Sequence, residues 1–190
     1  MHAATSSLPD GHSCSDYIIS SYTPTISALL SARRRHKEVS YAELRVLLAA
    51  VPKPFQGMPL NGVVTELQVI KKAIQSSGPE AVSGLRHDAL SLIIDASADD
   101  VLQALPNISV LHLACHGEQA AHDALDSGFL MRDRRLHVSD LLKLNLGSAF
   151  LAFLSACETA RGDDMQPDQA IHLAATMLFA GFQSVVGTMW

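Results

Sequence analysis

Two short stretches of this chain carry side chains able to do covalent chemistry. One is Cys115-His116-Gly117-Glu118. The other is Ala156-Cys157-Glu158-Thr159, followed by Ala160-Arg161-Gly162-Asp163-Asp164. A cysteine thiolate is a nucleophile, and a nearby imidazole either lowers the thiol pKa or protonates a departing amine, so the pair suits acyl transfer. Gly117 lets its backbone N–H come close to a developing oxyanion, jointly with the N–H of Cys157, and leaves no side chain in a substrate's way. Each residue alone also has an ordinary reading: a Cys at a strand end is usually a small buried hydrophobe, and a His usually a hydrogen-bonded structural residue. Cys115 is the poorer nucleophile candidate, because a thiol next in sequence to His116 points away from that ring. His112 lies inside an apolar run and reads as a packed core histidine.

Other chemistries find less support. His112, Cys115, His116 and Cys157 are four conceivable metal ligands, but no CxxC or HExxH spacing accompanies them, so no metal is expected. GxGxxG and GxxxxGK(S/T) are both absent, which leaves nucleotide binding nothing but the fold class. Asp163 and Asp164 follow the Cys157 loop and could attract a basic side chain of a substrate; they could equally complement a helix dipole. Arg132, Arg134 and Arg135 could favour acidic substrates or simply decorate a solvated turn.

Strands and helices must bring the two stretches together. The run from Tyr17 to Tyr22 favours β structure and stops at Thr23-Pro24, where Thr23 is expected to cap a helix with Pro24 in its first turn. Ile26, Leu29, Leu30 and Arg33 follow helical spacing. Arg33-Arg34-Arg35-His36-Lys37 ends that helix with charge that suits its dipole, which explains the cluster without a nuclear-targeting or phosphate-binding role. Leu44 to Val51 reads as a buried strand ending in a loop with Pro52, Pro54, Gly57 and Pro59. Val63, Leu67, Ile70 and Ile74 share one helix face. Leu90 to Ile94 is a strand. Ser97 or Asp99 caps a helix carrying Val101, Leu102 and Leu105, and Ser109 to Ala114 is the next strand.

Farther on, Phe129-Leu130-Met131 and Leu136-His137-Val138 suggest a small hairpin. Ser139 or Asp140 is expected to cap a short helix with Leu141, Leu142 and Leu144. Ala149 to Ser155 is the most apolar strand. Pro167 opens a helix with Ile171, Ala174, Ala175 and Leu178 on one face and Gly181 as its left-handed stop, and Ser184 to Trp190 is a last strand. Apolar strands alternating with amphipathic helices predict an α/β class, a three-layer sandwich with a mostly parallel central sheet. Functional groups in such folds gather where strands end, at their carboxyl edge. If the strands before Cys115 and Ala156 are parallel neighbours, His116 and Cys157 emerge side by side.

Composition sets the outer bounds. The chain has 190 residues, 48% hydrophobic and 17% charged, which is room for one domain with a full core and no composition for a disordered tail. With 14 basic against 19 acidic residues the net charge is −5, which gives no global case for nucleic-acid binding. Three cysteines are too few and too odd for a disulfide scaffold, so reduced thiols and a cytoplasmic location are expected. Residues 1–15 are small and polar, a flexible leader without the pattern of a signal peptide. Apolar stretches such as Ala149 to Leu154 are far shorter than the roughly 18 residues a membrane helix needs, so no membrane partner is expected.

Longer stretches carry a family likeness. Val110-Leu111-His112-Leu113-Ala114-Cys115-His116-Gly117 and Phe153-Leu154-Ser155-Ala156-Cys157-Glu158-Thr159-Ala160-Arg161-Gly162-Asp163 resemble the two motifs of the CHAT domain, the caspase-like cysteine peptidase module often found behind tetratricopeptide repeats. Leu173-Ala174-Ala175, the stretch from Phe179 to Trp190, and Ser21 to Leu29 resemble it too. The resemblance implies a clan CD caspase-like fold over residues 16–190. In that fold His116 is the general acid/base, Cys157 the nucleophile, and Gly117 the glycine that follows the histidine. It also implies a protein or peptide substrate, no metal and no organic cofactor, a regulated death-like or signalling pathway, and control by a repeat-containing partner protein. Asp168-Gln169 stands where the family commonly has Asp-Glu. The family domain normally runs on past the strand ending here in Trp190, so the chain reads as truncated at its C-terminus. A non-catalytic scaffold of the same fold is therefore the competing expectation. A small-molecule α/β enzyme using Cys157 would need a cofactor pocket that no motif supplies.

Overall fold

The computed structural model describes residues 23, 25–35, 40–76, 88–118, 120, 124–156 and 169–187. Short aliphatic runs build its centre. β1 (Val46–Ala50), β2 (Leu90–Ile94), β3 (Val110–Ala114), β7 (Leu151–Leu154) and β8 (Ser184–Gly187) form one sheet in the order β2-β1-β3-β7-β8, every neighbouring pair parallel. Such strands are apolar along their length because both faces of a parallel sheet are covered, and β1 is buried at all five positions. The expected three-layer α/β architecture is the one observed.

Alternation along the strands divides the core in two. Leu47, Ala49, Leu111, Leu113, Ala152 and Leu154 face one layer, with α3 (Ala98–Ala104), α4 (Val138–Leu141) and α5 (Gln169–Ala180) packed over them. Val46, Leu48, Ala50 and Ala114 face the other, under Val63 and Leu67 of α2 (Val63–Ser76). That second layer covers β2, β1 and β3. Farther along the same face Phe153 of β7 and Val186 of β8, partners in register, keep 38% and 46% of their surface exposed.

Helix ends follow local chemistry. Ser97 caps α3 in a capping box with Asp100: the Asp100 N–H donates to Ser97 Oγ at 3.1 Å, and the Asp100 carboxylate accepts from the Ser97 N–H at 2.9 Å. Gly181 stops α5 at φ +130°, a conformation that suits glycine, and a side chain there would meet the Leu146 carbonyl at 2.7 Å. Two expectations are corrected. α1 (Ile26–Arg35) is capped by Thr25, whose Oγ1 accepts from Ala28 N–H at 3.0 Å, while the Thr23 hydroxyl donates to the Thr25 carbonyl. α4 starts at Val138, ahead of Ser139 and Asp140, and has no side-chain cap, because Asp140 is drawn to Arg134 and Lys143.

A second, antiparallel sheet stands beside the first. β5 (Gly128–Leu130) and β6 (Arg135–His137) form the expected hairpin, and β4 (His116–Glu118) joins it as an edge strand. The residues expected as a loop after β3 are thus a strand in their own right. Residues 1–15, Tyr17 to Tyr22 and Pro167 lie outside the described residues. Among the described residues no helix is long and apolar enough to cross a membrane.

Candidate active site

β3 and β7 are parallel neighbours with Leu113 beside Leu154, so both run to the same edge of the sheet. β3 ends at Ala114. Cys115, 2% exposed, sinks into the main core and turns the chain, so His116 emerges on β4. Its burial agrees with the structural reading of that thiol. β4 pairs with β5 through His116 opposite Leu130 and Glu118 opposite Gly128, and Glu118 is ion-paired with Arg135 of β6. On its other edge, Gly117 N–H donates to the carbonyl of Ala156 at 2.9 Å, while Ser155 N–H donates to Leu113 O at 2.9 Å. The segment carrying His116 is therefore stitched to the residue preceding Cys157. Cys157 itself, with Asp163 and Asp164, lies outside the described residues.

His116 is half-buried, and its Nε2 lies 2.8 Å from the carbonyl oxygen of Met58. A carbonyl only accepts, so Nε2 carries the proton and Nδ1 of the neutral ring is the basic nitrogen. Met58 sits in the Pro/Gly-rich loop of residues 52–62 that leaves the carboxyl end of β1. Leu60 N–H donates to Pro52 O at 2.9 Å, closing the loop on itself, and Phe55 N–H donates to Met131 O at 2.9 Å, tying it to the end of β5. Gly57 adopts φ +96°, and a Cβ there would sit 3.7 Å from both His116 Cδ2 and a Leu130 methyl, so loop backbone lies directly against the imidazole. Residue type could not reveal Met58, because the acting group is main chain. The available signal was its position, in a loop at the carboxyl edge of the strand beside β3.

The neighbouring polar groups have structural partners. Arg134 bonds Asp99 at 2.8 Å and Asp140 at 3.3 Å, and these contacts, Asp99 first, raise its pKa against the opposing effect of burial. Burial pushes the Asp140 carboxyl up, but Lys143 and Arg134 outweigh it and leave it below its ordinary value. Asp133 accepts from Ala98 N–H at 2.9 Å, so the hairpin turn also satisfies the start of α3. Arg134 and Arg135 are thus engaged in ion pairs that lock the hairpin.

His112 is buried on β3, bonds Glu66 of α2 through Nε2 at 3.0 Å, and stacks on Phe153 of β7 with ring centroids 5.0 Å apart. Burial lowers its pKa and Glu66 opposes without cancelling. Among the described residues no three His, Cys, Asp or Glu side chains converge as a group able to hold a metal ion. A family model described as CHAT domain matches residues 2–190. No curated protein matches the chain.

Proposed function

Because the chain belongs to the CHAT domain family, a caspase-like peptidase-related group, we propose that it is a cysteine endopeptidase domain in which Cys157 attacks and His116 transfers the proton. The observation that carries this reading is the placement of His116: its ring is held through Nε2 by the Met58 carbonyl, and the next residue is hydrogen-bonded to the one before Cys157. An imidazole fixed in that way presents Nδ1 as its free base.

The reaction follows from these parts. The Cys157 thiol gives its proton to His116 Nδ1, and the sulfur forms a bond to the carbonyl carbon of the scissile peptide. The oxygen takes the electron pair as an oxyanion. Collapse breaks the C–N bond, and the departing amine takes the proton from His116, leaving a thioester. Water, deprotonated by His116, then attacks the thioester, releasing the carboxylic acid and restoring the thiol. The Met58 carbonyl accepts from Nε2–H throughout and keeps the ring oriented. Gly117 and Cys157 N–H groups are the proposed oxyanion donors. Gly117 N–H is held by Ala156 O, so that bond must open as substrate binds. The substrate is a protein or peptide, no metal or organic cofactor takes part, and control comes from a repeat-containing partner in the cytoplasm.

The engaged Gly117 N–H also favours a second reading, a non-catalytic interaction module that kept the fold. One comparison separates the two. Wild type and Cys157→Ala are exposed to a broad peptide library and to a thiol-directed peptidyl probe. Cleavage and labelling that vanish in the variant support the peptidase. Equal behaviour in both proteins leaves the module.

A further inference from the structure

We infer that the outer edge of β2 is a docking site for an extended segment of another protein, with alternating apolar residues and basic residues at its ends, added to the sheet as a further strand. The inference does not depend on the peptidase reading. β2 ends the sheet on one side, and among the described residues only β1 is paired with it. Val46 N–H donates to Ala89 O at 2.7 Å, and Asp95 N–H donates to Ala50 O at 2.8 Å. Successive residues of a strand turn their backbone groups to opposite sides, so in this register Ser91 and Ile93 also face β1. The N–H and C=O groups of Leu90, Leu92 and Ile94 therefore point outward, and no described residue takes them.

Natural sheets guard such an edge with charge, proline or a bulge. Leu90-Ser91-Leu92-Ile93-Ile94 has neither charge nor proline, and its register with β1 is unbroken from end to end. Leu92 lies beside Leu48 and Ile94 beside Ala50, on the face that α2 covers. That cover is incomplete at the edge: Ile70, Ile74, Leu90 and Leu92 are only partly buried, and Ile94 is 43% exposed. Alternate apolar side chains of an added strand would close over them. Charge then decides between a second copy and a different chain. Asp88 and Asp95 stand at the two ends of the edge. Two copies paired antiparallel about Leu92 would satisfy every outward group, yet would set the Asp88 of one copy near the Asp95 of the other, a like-charge clash. A segment with lysine or arginine at its ends meets attraction at the same two places.

The test uses the full chain carrying Cys157→Ala, so that binding is read without cleavage. The probes are the synthetic peptide Lys-Val-Thr-Val-Thr-Val-Lys, the same peptide with Glu at both ends, and the Lys-ended peptide with Pro in place of its central Val. Fluorescence anisotropy gives affinities, and amide hydrogen exchange reads the site. The Lys-ended peptide is expected to slow exchange at Leu90, Leu92 and Ile94 and to leave Ser91 and Ile93, already paired with β1, unchanged. The Glu-ended peptide should bind about tenfold more weakly, a gap that narrows with added salt, and the Pro peptide more weakly than the Lys-ended one. Asp95→Asn, a residue type that tolerates φ +64°, should fold like the parent and reduce the preference for lysine ends. Ile94→Lys, at an exposed position, should weaken the Lys-ended peptide. No slowing at Leu90, Leu92 and Ile94 with any peptide, equal affinity for both charged peptides, or a preference untouched by Asp95→Asn overturns the inference. Slowing at those amides that grows with protein concentration in the absence of peptide overturns it as well, and gives the edge to a second copy.

Discussion

At the scale of single residues, the main finding is that the partner of His116 is a backbone carbonyl. A reading of side chains could single out His116, Gly117 and Cys157 by type and position, but no residue code marks Met58 as an acceptor. The conformation of Gly57 sets where that carbonyl points. Gly57→Ala adds a methyl that fits at 3.7 Å from the imidazole, yet it forces a side chain into φ +96°. The expected cost is about 1–2 kcal/mol of stability, measurable by urea denaturation, with a fall in kcat and little change in KM as the carbonyl shifts. His112 makes a different prediction. Its folded pKa lies below the ordinary 6.5, because the buried ring resists charging. The unfolded chain therefore binds a proton that the folded one refuses, and stability is intact above the unfolded value and is lost as pH falls through it towards the lower folded value. Thermal melts between about pH 8 and about pH 5 should show a steeper decline for wild type than for His112→Gln, which can still donate to Glu66 but does not titrate.

At the scale of elements, the strands were legible because burial on both faces demands unbroken apolar runs, and Leu90–Ile94 was read with its observed bounds. β4 was not, since His116-Gly117-Glu118 has no β-favouring composition. It is a strand because β5 offers it a ladder and Ala156 ties its other edge. Capping at Thr25 and the early start of α4 were missed for a related reason: several polar residues compete at each helix start, and distant partners such as Arg134 decide. The hairpin is the element on which His116 leans. A methyl on Gly128 would meet the Leu136 carbonyl oxygen at 2.1 Å, so Gly128→Ala must push β5 and β6 apart. The expected loss is about 1–3 kcal/mol, with peptide-probe labelling of Cys157 falling more than the unfolded fraction explains. Gly147→Ala, with nothing near the added methyl, is the matched control and should label like wild type.

At the scale of the whole molecule, the two faces of the sheet are unequal. Leu154 is buried at 1% under the layer holding α5, and Leu154→Ala should cost about 2–5 kcal/mol. Val186 lies on the opposite face at 46% exposure, and Val186→Thr should change stability by less than about 0.5 kcal/mol. Urea midpoints of the two variants check the asymmetry. The parallel order and layering were foreseeable from alternating strands and helices, whereas the partial exposure of Phe153 on β7 and Val186 on β8 depends on how far α2 reaches, which no local pattern encodes. β1 has a further consequence. It is hydrogen-bonded on both sides, by β2 and β3, and Leu47, Ala49, Ala50 and Val51 are fully enclosed. The loop that grips His116 hangs directly from its end, so the imidazole is moored to the part of the fold that opens last. Warming should therefore leave the geometry around the imidazole undisturbed until the molecule comes apart as a unit, and heat inactivation should coincide with the global melt.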